Sequence, residues 1–296
     1  MRRIIYFIGL IPLLFASCAS LDGAGKGGSV RSEFADLPAG ALLYISIDTT
    51  VAKELAGTLL ARYKLNAKTM RTFFNMTNRI AAAVYPERTE EPENRRFLLI
   101  GYGKNYPSSL SAFSFFFDPA WKRTKSVTGG KYWRSSKNRL SLFIQKNKAR
   151  ISDADPFFAE DAAETPESFT LFSEGASVSA WLTRIEPINR ALARIDLPVT
   201  IPATALFAAV FPHGKDWVIA FRMETPSLAQ ARGLVSVLSM VRNALAGNYI
   251  RGDTTILPML LSEPPSIDDS AIILKSPPLP HETLAGLIDS LSIYLR

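Results

Sequence analysis

The chain has one cysteine and two histidines in 296 residues. The single cysteine, Cys18, excludes an intramolecular disulfide and any cysteine cluster that would hold a metal. His213 falls in an expected turn and His281 at an expected helix start, and apart from Glu282 beside His281 neither has a further ligand at metal spacing. Both read as surface residues, and no metal or other cofactor is expected. No Gly-x-Ser-x-Gly elbow, His-Glu-x-x-His helix, zinc ribbon or dinucleotide fingerprint occurs. No catalytic residue is therefore assigned, and the folded part is expected to be non-enzymatic. Long apolar runs are also missing: beyond the first 17 residues, none approaches the ~20 that a membrane-spanning helix needs.

What is present begins at the amino terminus. Arg2 and Arg3 precede an apolar run of 11 residues, Ile4 to Leu14, interrupted only by Gly9 and Pro12, and Phe15-Ala16-Ser17 leads into Cys18. Positive start, short apolar core and small residues at the end make residues 1–17 a cleavable signal peptide. Leu14-Phe15-Ala16-Ser17-Cys18 resembles the lipobox of bacterial lipoproteins, with Phe15 where the stricter pattern has leucine. The resemblance implies cleavage before Cys18 and lipid on its sulfur and new amino group. An ordinary secretory leader with a chance cysteine is the alternative. Each buried methylene of an acyl chain contributes ~0.8 kcal/mol, so two chains hold a protein on a membrane where one does not. Ala19 is not the aspartate associated with inner-membrane retention, so the outer membrane of a bacterial envelope is favoured. Residues 18–36, with Gly23, Gly25, Gly27 and Gly28, read as a flexible tether. Their Gly-Ala-Gly-Lys-Gly-Gly lacks the spacer and following Ser or Thr of a phosphate loop.

The body is 47% hydrophobic and 21% charged by whole-chain composition, enough for a substantial core. Its halves align by eye. Gly40-Ala41 opens a strand through Leu42–Ile47, and Gly175-Ala176 opens one through Ser177–Leu182. Helical segments follow at Val51–Tyr63 and Ile185–Ile195. Ala82-Ala83-Val84-Tyr85-Pro86 then matches Ala208-Ala209-Val210-Phe211-Pro212, each proline ending a strand. Phe97–Ile100 matches Val218–Phe221, and helices start near Pro107 and Pro226, the second capped by Thr225. Lys131–Ser136 and Ser270–Lys275 close the two halves. Strand, helix, strand, strand, helix, strand is the ferredoxin-like order. The expected fold is α+β: two tandem ferredoxin-like modules with antiparallel sheets and a C-terminal amphipathic helix from about His281. The first module takes residues 37–155 with an extra hairpin, the connection 156–174, and the second module with that helix 175–296.

Charge marks the candidate site. Lys122 to Arg150 holds ten basic residues and no acidic one: Lys122, Arg123, Lys125, Lys131, Arg134, Lys137, Arg139, Lys146, Lys148 and Arg150. Loss of the leader's two arginines reduces the net charge of +7 to +5, so this stretch at +10 leaves the remainder at −5. With Trp121, Tyr132, Trp133 and Phe143 interleaved, it suits an anionic lipid, an acidic glycan or a protein partner; nucleic acid is not expected for an exported chain. A solvated basic edge that blocks strand-to-strand aggregation has the same composition. The helix Ser227–Ala246 is apolar around most of its circumference, suiting burial between modules or, with Pro107–Phe117, the wall of a cavity for a lipid or other apolar ligand. Arg251-Gly252-Asp253 and the sequon Asn75-Met76-Thr77 are tripeptides common by chance.

Overall fold

The computed structural model describes residues 34–51, 77–86, 97–103, 120–136, 140–145, 147–157, 161–186, 189, 200–247, 262–284 and 286. Among them run twelve strands: β1 (Leu43–Asp48), β2 (Thr77–Val84), β3 (Phe97–Gly103), β4 (Trp121–Lys125), β5 (Lys131–Ser135), β6 (Ser141–Ile144), β7 (Lys148–Ser152), β8 (Val178–Leu182), β9 (Ala205–His213), β10 (Asp216–Glu224), β11 (Ser266–Asp268) and β12 (Ala271–Lys275). Two helices join them, α1 (Glu167–Phe172) and α2 (Leu228–Gly247). The strands form one antiparallel sheet in the order β11-β12-β10-β9-β8-β1-β2-β3-β7-β6-β5-β4.

This overturns the expectation of two ferredoxin-like modules. In that fold the first two strands run parallel with a third between them. Here β1 lies directly against β2 and antiparallel to it, Tyr44 opposite Ala83. Nor are the halves separate bodies, because β1 also pairs with β8 and makes one sheet of both. The order of elements along a chain does not say on which side, or in which direction, a strand enters its sheet. That choice separates the two topologies.

The seam between β1 and β8 has a register that reads the same from either strand. Leu43 faces Leu182, Ile45 faces Ala180 and Ile47 faces Val178. Since Gly40-Ala41 corresponds to Gly175-Ala176, Ile45 corresponds to Ala180, and a local two-fold axis normal to the sheet passes between them. Outward from it, Tyr44 pairs with Ala83 as Ser179 pairs with Ala209. Ala82 then pairs with Leu99 as Ala208 pairs with Phe221, one residue from the expected match of Phe97–Ile100 to Val218–Phe221. Next come β7 beside β3 and β12 beside β10. The expected closing strand of the first half, Lys131–Ser136, is β5 and lies two positions farther out. Pro212 does not end its strand either: β9 continues to His213, past Val210, the last residue paired with β8, where one flank of β9 carries no ladder.

Alternation along the strands gives the sheet two faces. On one, Tyr44, Ala81, Ala83, Leu98, Ile100 and Phe207 are buried under residues 34–41 and α1, with Phe34 and Phe169 fully enclosed. Tyr44 fixes this cover, since its hydroxyl donates to the Pro38 carbonyl at 2.9 Å and accepts from the Ala41 amide at 3.2 Å. On the other face, α2 sets Ala231, Leu234, Val235 and Leu238 against Leu206, Phe221, Met223, Ile272 and Leu274. The side of α2 away from the sheet is open, with Met240 71% exposed, so α2 is not sandwiched between modules. Ser227 caps it, its Oγ accepting from the Gln230 amide at 3.3 Å. Thr225, the expected cap, donates instead to the carbonyl of Ser270 at 2.5 Å and so ties β10 to the β11–β12 turn. The expected helices at Val51–Tyr63, beyond Val51 itself, and at Pro107–Phe117, and most of Ile185–Ile195, lie outside the described residues. Of the C-terminal helix, residues 281–284 are helical with Leu284 buried.

Candidate functional site: the basic hairpin

The Lys122–Arg150 stretch folds into β4, β5, β6 and β7, the end of the sheet opposite β11. β4 is its outermost strand and was not apparent in the sequence, since Trp-Lys-Arg-Thr-Lys has no apolar alternation. Among the described residues β4 pairs on one side only, and a strand so placed with little burial needs none. Lys122, Arg123 and Lys125 of β4 and Lys131 and Arg134 of β5 are all exposed. Pairing sets Lys122 opposite Arg134 and Lys125 opposite Lys131. Like charges directly across an antiparallel pair repel. Successive residues point to opposite sides. One face of the hairpin therefore carries Arg123, Lys125 and Lys131 with Trp133, and the other Lys122 and Arg134 with Tyr132.

The remaining basic residues divide. Lys148 and Arg150 are drawn into the fold: Lys148 Nζ lies 2.9 Å from Asp36 Oδ1, and Arg150 Nη1 donates to the Pro156 carbonyl at 3.3 Å. Both are engaged within the fold, while the five cations of β4 and β5 stand exposed. Lys137, Arg139 and Lys146 lie outside the described residues.

The turn between β4 and β5 is firmly built. The Ser126 amide donates to the Gly130 carbonyl at 2.7 Å and the Gly129 amide to the Ser126 carbonyl at 3.0 Å. Ser126 Oγ accepts from the Thr128 amide at 3.2 Å. Gly129 has φ +91°, left-handed backbone that favours glycine. Phe157 packs on the hairpin from below, its ring 4.5 Å from that of Phe143 and 6.4 Å from that of Tyr132, and so close to Gly130 that a Cβ there would lie 2.4 Å from Cζ. The result holds Val127 outward at the tip, 98% exposed.

Beside the hairpin, Asp36, the last residue of the expected tether, is tied to the sheet. It accepts from the Tyr102 hydroxyl at 2.8 Å and pairs with Lys148, while the Arg79 guanidinium lies 4.6 Å from the Tyr102 ring centre. Burial alone raises the Asp36 carboxyl. The hydrogen bonds from Lys148 and Tyr102 and the charges of Lys148 and Arg150 outweigh it and hold the group below its ordinary value. The Tyr102 hydroxyl is pushed well up, chiefly by burial and then by Asp36.

Two hollows open on the sheet face that carries α1. An apolar one of about 350 Å³ is lined by Phe172, Phe211, Val218, Ala220, Ile273 and Lys275, among others. A polar one of about 250 Å³ lies at the end of the seam, among Ser46, Asp48, Arg79 and Ser179. The apolar hollow is on the opposite face from α2, so the expected cavity wall along Ser227–Ala246 is not where this space lies. His213 is exposed at the rim of the apolar hollow, and His281 lies against Trp217 with ring centres 6.4 Å apart. Among the described residues no three histidine, cysteine or carboxylate side chains gather as a metal site. No helix there is long and apolar enough to cross a membrane. Arg251-Gly252-Asp253 and Asn75 lie outside the described residues.

No protein-family model matches the chain, and no curated protein matches it. Solved structures do. Crystal form III of TP0453 superposes with a TM-score of 0.55 at 14% identity, covering 89% of this chain and all of that one. Crystal form I gives 0.54 at 14% identity over 89% and 98% of the two chains. Crystal form IV gives 0.52 at 13% identity over 87% and 96%. At such identity the likeness is one of fold, and it spans nearly the whole of both chains.

Proposed function

We propose that this chain is a lipid-anchored protein of the bacterial cell envelope, without enzymatic activity, that meets an anionic envelope component through the β4–β5 hairpin. The hairpin carries the reading. Five exposed cations stand on two short strands with no carboxylate among them, and two like-charged pairs face each other across the ladder, a repulsion that an anionic partner relieves. The lipobox-like leader supplies the location, with Cys18 as the lipidated residue and the outer membrane favoured by Ala19. The fold shared with TP0453 accords with this reading and names no partner.

The anchor is tested by expression in a bacterium with lipoprotein processing. Wild-type chain is expected in the detergent phase on Triton X-114 partition, with the mass of an acylated amino terminus, and Cys18→Ser in the aqueous phase. Equal partition and an unmodified mass in both would remove the anchor from the reading.

One observation favours a second function, a carrier of a lipid or other apolar ligand: the hollow between Phe172 of α1 and β9, β10 and β12 is walled almost wholly by apolar side chains. Native mass spectrometry decides it, since a carrier retains acyl ligands that Ile273→Asp releases.

A further inference from the structure

We infer that the β4–β5 turn docks end-on into the headgroup layer of an anionic phospholipid bilayer, with Val127 entering the layer and Lys122, Arg123, Lys125, Lys131 and Arg134 forming a cationic collar around it. The inference rests on the reading of the hairpin as an anion-binding element and names its partner.

Three observations carry it. The cations lie on both faces of the hairpin: Arg123, Lys125 and Lys131 on one, Lys122 and Arg134 on the other. A flat acidic protein surface meets only one face of a ribbon at a time, whereas a layer of headgroups entered tip-first surrounds it and neutralises both. At 3.4 Å per residue, Lys122 and Arg134 stand only about 10 Å behind the Lys125–Lys131 pair, within about one Debye length of a headgroup layer entered as far as that pair.

The tip itself is apolar. Val127 is almost wholly exposed, in the turn that joins Lys125 to Lys131, which three hydrogen bonds hold in shape and Phe157 supports from below. An acidic glycan or a soluble anion has nothing for this side chain to enter, but the boundary between headgroups and acyl chains does.

The site also lies near the attachment point. Asp36, two residues into the described chain, contacts Lys148 of β7, three strands in from β4. Strand spacing makes that about 15 Å across the sheet. Lys148 and the β4–β5 turn lie at the same end of these strands, since Ala149 pairs with Ile144 and Leu142 with Trp133. Fifteen residues separate Cys18 from Phe34, a reach of at most about 50 Å. An anchored body therefore holds its hairpin within range of the bilayer, where a tether raises the local concentration to around millimolar and a weak contact suffices.

The test uses the chain from position 18 onward with Cys18→Ser, so that no acyl group contributes. It is sedimented with vesicles of phosphatidylcholine alone and with vesicles about one-third phosphatidylglycerol, at low and high ionic strength. Binding is expected to the anionic vesicles only, and to weaken at high salt. Each charge near such a surface contributes about fivefold, so Lys125→Glu with Lys131→Glu is expected to weaken binding at least tenfold. Val127→Asp weakens it about tenfold with no cation removed. Because Cys18 is the chain's one cysteine, Val127→Cys in the Cys18→Ser background accepts a single polarity-sensitive fluorophore. Its emission is expected to shift to the blue on anionic vesicles. Circular dichroism shows whether each variant is folded, and the labelled variant gives a readout that does not depend on the charge reversals. No binding to anionic vesicles, or a label that stays in water while bound, overturns the inference. If heparin is then bound through the same lysines, the hairpin still meets anions and only the phospholipid is wrong. If heparin is not bound either, the parent reading falls as well.

Discussion

Tyr44 stacks on Trp181 across the strand pair that joins the two halves of the sheet, ring centres 5.0 Å apart and planes 23° from parallel. Phe34 and Phe169 close over them, with Phe34 5.3 Å from Tyr44 and Phe169 6.4 Å from Trp181. The seam is therefore held by its ladder and by an aromatic cluster that recruits the amino-terminal segment and α1 to the same place.

Among the described residues, the indole Nε1 of Trp181 is buried without an acceptor. An unpaired buried donor is a standing cost, and the ring's apolar area is the gain. Trp181→Phe is expected to change stability by less than about 1 kcal/mol, and Trp181→Ala to lower it by about 3 kcal/mol. Urea unfolding followed by far-ultraviolet circular dichroism separates the two. Equal losses would mean that the indole nitrogen, not the ring area, matters at the seam.

Gly40 and Gly175 occupy corresponding places before β1 and β8, with φ of +82° and +77° and open space where a Cβ would stand. Alanine at either position meets backbone strain and no clash. Gly40→Ala and Gly175→Ala are each expected to cost about 1–2 kcal/mol, and by similar amounts. Thermal unfolding of the two variants side by side checks whether the local two-fold relation extends to these entry turns.

Gly130 is glycine for a different reason, the Phe157 ring against it. Gly130→Ala must displace that ring from Phe143 and Tyr132, at an expected cost of about 1–3 kcal/mol. Gly130→Ala combined with Phe157→Leu is expected to recover part of the loss, which a double-mutant cycle of melting temperatures reads directly.

Asp36 links stability to pH. Its folded-state value is depressed below the ordinary 3.8, so its contribution is present above that value and is lost as pH falls through the lower folded value. The carboxyl is 37% exposed, which limits the interaction to on the order of 1 kcal/mol. Asp36→Asn is expected to destabilise by that amount at neutral pH and to match wild type at strongly acid pH. A stability difference that stays constant across the acid range would exclude the ion pair with Lys148 as its source.

The sequence showed the strands more readily than their arrangement. Ala82–Pro86 and Ala208–Pro212 are recognisable because small and branched residues between turns have few other places to go. Their pairing with β1 and β8 is set by non-local contacts. A one-residue error in matching Phe97–Ile100 to Val218–Phe221 was invisible in composition, since both runs are apolar on both sides. The basic hairpin was legible as charge. Its division was not: Lys148 and Arg150 look like their neighbours until Asp36, more than 110 residues away, is brought beside Lys148. Val127 gave no signal at all, because an isolated valine between a serine and a threonine is marked only by the turn that holds it out.

The seam also has a consequence for biosynthesis. β1 leaves the ribosome about 130 residues ahead of its partner β8, and at ordinary elongation rates the wait is on the order of ten seconds. Throughout it, the nascent first half carries a bare flank of Leu-Tyr-Ile-Ser-Ile, a ready template for a stray strand. Neither half is a sensible fragment to express alone, and a chaperone that shields β1 until β8 arrives would serve this protein better than one that acts on the finished chain.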